Sequence, residues 1–308
     1  MANITATMVK DLRDKTGAGM MDCKKALAET KGDMAAAEDW LRKSGALKAA
    51  KKATRVAAEG LIGLAVGEHS GVLVEVNAET DFVARNDDFK GFVKAASQLA
   101  LQEGCDLEAL MDKKLGAASV KDTLTGLIAK IGENMSVRRV QLLSVEPGVV
   151  ASYVHNASSP ELGKIGVLVA LKSSADKAKL MDLGKKLAMH IAAASPIALT
   201  QAHISKEVLD HERSVQSEIV AQNAAGKPAN IVEKMLEGRM RKYYEEVVLM
   251  EQTWVIDQET KVAKVIENAS KEFGAPVEIT GFVRFQVGEG IEKVQSDLAD
   301  EVAKMTGH

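Results

Sequence analysis

Apolar residues recur at helical spacing in residues 1–45 and form short strand-like runs after residue 60. This pattern predicts three short helices at the N-terminus. The first ends near Gly17, the second spans about 20–30, and the third ends before Gly45. Asp33 precedes the third helix, where its side chain can accept backbone N–H bonds. We therefore expect residues 1–45 to form a small three-helix domain with a marginal core.

Residues 46–60 read ALKAAKKATRVAAEG and are rich in alanine and basic side chains. We interpret them as a tether between domains that is helical in part. A solvated connecting helix explains this charge better than a nucleic-acid patch does.

The tetrapeptide Gly-Val-Leu-Val occurs twice, at residues 71–74 and 166–169. Each copy is the second strand of a unit with the order strand, strand, helix, strand. Around the first copy, the other strands are predicted at 61–66 and 136–143 and the helix at 89–101. Around the second copy, the other strands are predicted at 149–154 and 279–287 and the helix at 180–194. Two such units suggest a duplicated α+β core. Unit 1 would span 61–145, and unit 2 would span 146–204 and 250–290.

The last predicted strand alternates Phe282, Arg284 and Gln286 with Val283, Phe285 and Val287. This alternation predicts a sheet with one covered face.

Unit 2 carries an insertion at 205–249 that reads as an antiparallel helical hairpin. Its first helix, 205–225, places Val208, Val215 and Ile219 on one stripe, and its second helix begins near Asn230. The hairpin could be purely structural, or it could contact another partner or a second copy of the chain to form a homodimer. Residues 291–308 follow as a helical tail. The predicted fold class is therefore α+β.

The charge and cysteine content narrow the range of functions. The net charge is -3 and the pI is near 6.1, which argues against general nucleic-acid binding because that function uses an excess of Lys and Arg. Cys23 and Cys105 form no CxxC pair, so zinc-ribbon and thioredoxin-like motifs are excluded. The sequence shows no signal peptide and no apolar run long enough to span a bilayer. We expect a cytoplasmic protein that does not bind membranes.

Motifs for nucleotide binding and catalysis are missing from the sequence. It contains no Walker A pattern, no NKxD and no GxSxG, and the run that starts at His211 fails the zincin pattern. We therefore expect no direct nucleotide binding, no metal, no cofactor and no enzymatic reaction. The chain would act by binding a partner.

One loop contains an aromatic residue among charges. The apolar run Val72–Val76 leads into an acidic loop in which Phe82 lies between Asp81 and Val83. Loops at strand ends often carry function, and an exposed ring there could wedge between elements of another protein. Alternatively, Phe82 folds under the next helix as part of the core.

Three segments resemble the bacterial elongation factor Ts family. They are VNAETDFVARNDDF at 76–89, LRDKTGAGMMDCKKAL at 12–27 and VEITGFVRFQVGEGIEK at 277–293. They occur in family order and span almost the whole chain. The resemblance implies that residues 1–45 form a ubiquitin-associated-type domain. It also implies that the chain binds elongation factor Tu and promotes the release of its GDP. The competing hypothesis is an adaptor that docks through its helical modules without affecting nucleotide release.

The resemblance also implies roles for the residues of the loop. Asp81 and Phe82 would intrude beside the magnesium and phosphate site of the partner, and Phe82 would pack between GTPase helices. Thr80 and Val83 would hold the shape of the loop. Alternatively, Thr80 only caps the following helix and Val83 belongs to the core.

Further partner contacts are carried over from the same family. Arg13, Met20 and Met21 match its N-terminal contact segment, although we expect at least one of the two methionines to be core. His155 matches a histidine that approaches the GTPase, with a purely local loop role as the alternative. Cys23 either favours its thiolate beside Lys24 and Lys25 or is small buried core.

Overall fold

The computed structural model describes residues 4–223 and 227–292, and the fold is α+β. Three helices come first: α1 (Ala6–Thr16), α2 (Met20–Glu29) and α3 (Met34–Ala50). They enclose a small core that includes Leu12 and Leu27. Helix α3 continues past its predicted end at Gly45. Gly45 lies beside Ala129, whose Cβ would be 3.4 Å from a Cβ added to the glycine. Only residues 46–50 of the predicted tether are helical.

The next part of the chain forms the first sheet and the helices that cover it. Its elements are β1 (Glu59–Val66), β2 (Ser70–Ala78), α4 (Asp81–Arg85), α5 (Asp87–Glu103), α6 (Leu107–Asp112), β3 (Lys114–Leu115), β4 (Ala118–Ser119), α7 (Val120–Ile131) and β5 (Met135–Ser144). The sheet has the order β5-β2-β1, all antiparallel, and a later two-residue strand extends it beside β1. Strands β3 and β4 form a separate small ladder.

The remaining elements form the second sheet, its helices and a helical pair. They are β6 (Gly148–His155), β7 (Leu162–Gly163), β8 (Ile165–Lys172), α8 (Lys177–Ala194), α9 (Lys206–Asn223), α10 (Ala229–Val247), α11 (Val262–Phe273) and β9 (Glu278–Gln286). Strands β6, β8 and β9 pair antiparallel in that order, and β7 pairs with β1 of the first sheet.

The two sheets lie face to face, and helices cover their outer faces. Buried residues from both sheets, such as Leu73 and Leu168, form the cluster between them. Helices α5 and α7 cover the outer face of the first sheet, and α8 and α11 cover that of the second. The prediction of one covered face is therefore wrong: Phe282 packs toward the helices, while Val283 and Phe285 pack toward the other sheet. Coverage of both faces explains the continuous apolar runs in β2 and β8.

The two Gly-Val-Leu-Val segments meet reciprocally between the sheets. A Cβ added to Gly71 would lie 2.8 Å from Leu168 Cδ2, and one added to Gly166 would lie 2.9 Å from Leu73 Cδ2. Each glycine thus leaves room for the leucine of the other segment. The close approach of each leucine side chain requires that the facing residue lacks a side chain, so a larger residue at Gly71 or Gly166 would disturb the packing between the sheets.

A buried carboxylate ties β2 to its neighbours. Glu75 is fully buried, and its carboxylate accepts bonds from Asn77 Nδ2 (3.0 Å), Arg138 Nη1 (3.2 Å) and the backbone N–H of Gly288 (2.9 Å). Arg139 Nε also donates to it. These bonds satisfy a charge that would otherwise be costly to bury. Strand β2, which leads into the acidic loop, is therefore held from both β5 and the end of β9.

Helices α6, α7 and α11 were not predicted from the sequence. Helices α7 and α11 precede the last strand of each sheet, and each ends at a glycine with left-handed backbone, Gly132 and Gly274. Such glycines are common helix stops. Between the second and last long strands of each sheet, the chain therefore carries more helices than were predicted.

Helices α9 and α10 pack against each other in the predicted hairpin region, and residues 224–226 between them lie outside the described residues. The predicted stripe on α9 is not the buried face. Val208 and Val215 are exposed and Ile219 is half-buried, whereas Val220 is buried and Leu209 packs in a cluster with residues of α10. The predicted tail falls outside the described residues from 293 onward.

Candidate functional site

The acidic loop leaves the end of β2 and forms the short helix α4. Val83 and Ala84 are 3% and 4% exposed and belong to the core of the first sheet, whereas Phe82 is 76% exposed. The alternative that Phe82 is core is therefore wrong, and the alternative that Val83 is core agrees with the structure. The two residues after Phe82 are buried in the core of the first sheet, and they hold the backbone that carries its exposed ring.

The start of the loop is held by a turn that is distant in sequence. Both carboxylate oxygens of Glu133 accept bonds from Thr80, from its backbone N–H at 2.9 Å and from its Oγ1 at 2.7 Å. Glu79 in turn accepts the backbone N–H of Asn134, and Asn134 Nδ2 donates to the carbonyl of Arg55 at 2.7 Å. Thr80 occupies the N-cap position of α4, but its side chain does not cap that helix. The capping alternative is therefore wrong.

Charges surround the ring without covering it. Asp81 pairs with Arg85 at 3.0 Å one helical turn away, and its side chain is still 47% exposed. Asn86 is extended and caps α5 by accepting the N–H of Phe89 at 3.2 Å. The loop therefore presents one apolar ring with a partly paired carboxylate beside it.

The N-terminal candidates lie at the junction of α1 and α2. Arg13 is exposed near the end of α1, and Met20 and Met21 are 59% and 75% exposed at the start of α2. The expectation that one methionine is core is wrong, because the buried face of α2 begins only at Cys23. The three side chains share one exposed end of the small helical domain.

His155 lies at the end of β6 and is exposed. Its Nδ1 is 3.2 Å from the hydroxyl of Tyr153. The candidates therefore come from three places in the fold: the acidic loop, the α1–α2 junction and the end of β6.

No pattern in the sequence indicated Glu79, Glu133 or Asn134, whose contacts join segments more than 50 residues apart. The one available signal was the helix stop Gly132 directly before Glu133.

The two cysteines have less acidic thiols than usual, and neither is paired in a disulfide. Burial raises the pKa of the Cys23 thiol, and burial likewise raises the pKa of Cys105. The interpretation of Cys23 as small buried core agrees with its complete burial. Among the residues that the structure describes, no group of His, Cys, Asp or Glu is arranged to hold a metal ion. Within 4–223 and 227–292, no helix has both the length and the apolar character needed to cross a bilayer.

Comparison with known proteins gives a consistent result. A family model described as Elongation factor TS matches residues 79–289. The chain is 58% identical over 309 residues to the Elongation factor Ts of Rhodospirillum centenum, with all of both chains covered. It is 59% identical to that of Paramagnetospirillum magneticum, covering 100% of this chain and 98% of the relative. It is 60% identical to that of Rhodospirillum rubrum, covering 98% of each.

Proposed function

Because this chain belongs to the elongation factor Ts family, we propose that it releases GDP from elongation factor Tu through the loop that carries Asp81 and Phe82. Its role as a nucleotide exchange factor of translation elongation follows from the family. The adaptor hypothesis is not favoured by these relationships. The observation that carries the proposed site is the 76% exposure of Phe82 between anchored neighbours.

The exchange itself is a matter of linked binding equilibria. A factor that binds the nucleotide-free GTPase more tightly than the GDP-bound form must weaken GDP binding by the same factor. GDP is held largely by Mg²⁺, by P-loop backbone N–H groups and by the P-loop lysine. A wedge therefore has no need to touch the nucleotide, provided that it shifts the elements that position the metal.

The loop has the features that such a wedge requires. The ring of Phe82 is apolar and exposed, so its burial between GTPase helices would stabilise the complex. Asp81 would bring a negative charge toward the metal and phosphate site, where it would compete with the phosphate for positive groups. Thr80 and Val83 hold the loop from its two sides, through Glu133 and through the core.

Other exposed residues would extend the contact with the partner. Met20 and Met21 are flexible and polarisable, and such side chains suit a surface that re-packs against a protein. Arg13 adds a positive charge beside them. His155 would form a separate contact from the second sheet. In this proposal the chain carries out no chemical reaction of its own, uses no cofactor and does not bind the nucleotide directly.

The proposal extends to finer features of the architecture. We interpret the two sheets as a duplicated core, because their Gly-Val-Leu-Val segments exchange glycine and leucine positions reciprocally. The helices α1 to α3 would be the ubiquitin-associated-type domain of the family. The exposed side chains of Val208, Val215 and Ile231 leave the hairpin available for a second copy of the chain. In this proposal the protein acts in the cytoplasm, where translation takes place.

The test is stopped-flow release of a fluorescent GDP from elongation factor Tu. The wild-type chain should accelerate release strongly, and Phe82→Ala should lose most of that acceleration. Ile256→Ala is the matched control, because it removes an apolar side chain that is 56% exposed elsewhere. No acceleration by the wild type would contradict the function, and full acceleration by Phe82→Ala would contradict the wedge.

A further inference from the structure

We infer that Glu133 is a positioning residue for nucleotide exchange, which fixes the acidic loop so that Phe82 meets the partner correctly. The inference rests on the proposed function of that loop. Glu133 lies outside the loop, 53 residues further along the chain from Thr80. It follows Gly132, the glycine at which α7 ends.

The geometry is that of a two-point clamp. One carboxylate oxygen accepts the backbone N–H of Thr80 at 2.9 Å, and the other accepts its hydroxyl at 2.7 Å. Bonds to a charged acceptor are stronger than neutral ones, and two of them fix an orientation as well as a distance. Glu133 thus restrains both the backbone and the side chain of Thr80.

The clamp is reciprocal. Glu79, directly before Thr80, accepts the backbone N–H of Asn134, directly after Glu133. Asn134 Nδ2 also donates to the carbonyl of Arg55, and the guanidinium of Arg55 lies 3.5 Å from the carboxylate of Glu79. The junction of β2 with α4 is therefore fastened to the junction of α7 with β5.

The position of Phe82 depends on these hydrogen bonds between the two junctions. On its C-terminal side the loop is held by Val83 and Ala84, which are buried in the core. On its N-terminal side the bonds from Glu79 and Thr80 hold it. Without Glu133, Thr80 would bond to water instead and the start of α4 could shift while the core remained packed. Displacements of about 1 Å can cost roughly 100-fold in a process that needs a precise geometry.

The clamp also relates the loop to the N-terminal domain. Helix α7, which delivers Glu133, packs along α3, with Ala129 beside Gly45. The same helix therefore contacts the domain that carries Arg13, Met20 and Met21. Glu133 would thereby hold the ring of Phe82 in a fixed position relative to that second contact surface.

The decisive experiment combines Glu133→Ala and Phe82→Ala, singly and together, in the GDP-release assay at saturating concentrations of the chain. We expect Glu133→Ala to slow release by about 10- to 100-fold. In the Phe82→Ala background the same change should have little further effect, because Glu133 acts through the ring. Independent effects that multiply in the double variant would overturn the inference, as would release by Glu133→Ala within about twofold of wild type.

Two conservative variants separate positioning from general damage. Thr80→Val keeps the backbone bond to Glu133 but removes the hydroxyl bond, so it should slow GDP release by less than Glu133→Ala does. Glu133→Gln keeps one acceptor oxygen and should fall between wild type and Glu133→Ala. Glu108→Gln is the matched control, because it removes an exposed carboxylate from α6 in the same part of the fold. Equal slowing by Glu108→Gln would contradict a specific role of Glu133.

A second measurement tests the contact between Glu133 and Thr80 separately from the proposed function. Amide hydrogen exchange of the free chain reports the Thr80 N–H without any partner. Glu133→Ala should lower protection at Thr80 by about tenfold or more while leaving the centre of β2 protected. Unchanged protection at Thr80 would overturn the clamp even if exchange activity is present. Failure of the wild type to release GDP would instead contradict the proposed function.

Discussion

The contrast between Phe82 and Phe89 gives a prediction that can be worked from burial alone. Both residues lie in the same short stretch, but Phe82 is 76% exposed and Phe89 is fully buried. About a quarter of the roughly 200 Å² of a phenylalanine side chain is therefore buried at Phe82. At ~25 cal/mol per Å² of apolar surface, truncation to alanine removes at most about 1 kcal/mol of folding free energy.

Truncation of Phe89 has a different outcome because it leaves a cavity. Its ring lies in the cluster between the first sheet and α5. Replacement of a buried phenylalanine by alanine typically costs about 3–5 kcal/mol, from lost burial and from incomplete collapse of the space. Phe89→Ala should therefore destabilise the chain several times more than Phe82→Ala.

Urea unfolding of the two variants and the wild type, followed by circular dichroism, measures both costs. The midpoint of Phe82→Ala should lie close to that of the wild type, and the midpoint of Phe89→Ala should be clearly lower. Comparable destabilisation by both variants would contradict the exposure of Phe82. In that case the ring of Phe82 would be part of the core in solution, and the wedge would lose its physical basis.

Two further predictions concern the packing between the two sheets and the pH response of a buried histidine. Gly71→Ala should destabilise by about 1–3 kcal/mol through overpacking, since its methyl group would meet Leu168 at 2.8 Å. In urea unfolding, combining it with Leu168→Ala should cost less than the sum of the two changes, and simple additivity would contradict the contact. Burial lowers the pKa of His190 below its usual 6.5, so the unfolded state binds a proton that the folded state resists. Stability should fall by at most about 1.4 kcal/mol per pH unit as the pH drops below 6.5. His190→Gln should reduce that slope between pH 7.5 and 5.5, and identical slopes would refute the assignment.

The strands and long helices around the two sheets could be predicted because their signals are local. The apolar runs at 61–66 and 149–154 became β1 and β6, which extend at most two residues further on either side. Helices α7 and α11 were missed although each carries local signals, such as the cap Ser119 before α7 and the glycine Gly274 after α11. The contact between Glu133 and Thr80 could not be predicted, because no local pattern indicates which turn meets which strand end.

The exposure of Phe82 shows a different limit of sequence reasoning. In an unbroken helix, Phe82 and Phe89 would share a face, since seven residues make almost two turns. The extended backbone of Asn86 breaks the helix between them, so that Phe89 faces the core and Phe82 does not. The break ends one short helix and caps the next, and only the structure shows which of the two rings is buried.

We propose that the loop around Phe82 couples the binding of this chain to the loss of GDP from elongation factor Tu. The most direct test measures the affinity of elongation factor Tu for GDP with and without saturating chain. It also measures the affinity of the chain for the GDP-bound and nucleotide-free forms. With this coupling, the wild type should weaken GDP binding by a large factor, and this factor should fall strongly in Phe82→Ala while Ile256→Ala leaves it unchanged. A wild-type chain that binds both forms equally, or a Phe82→Ala chain that retains the full factor, would contradict it.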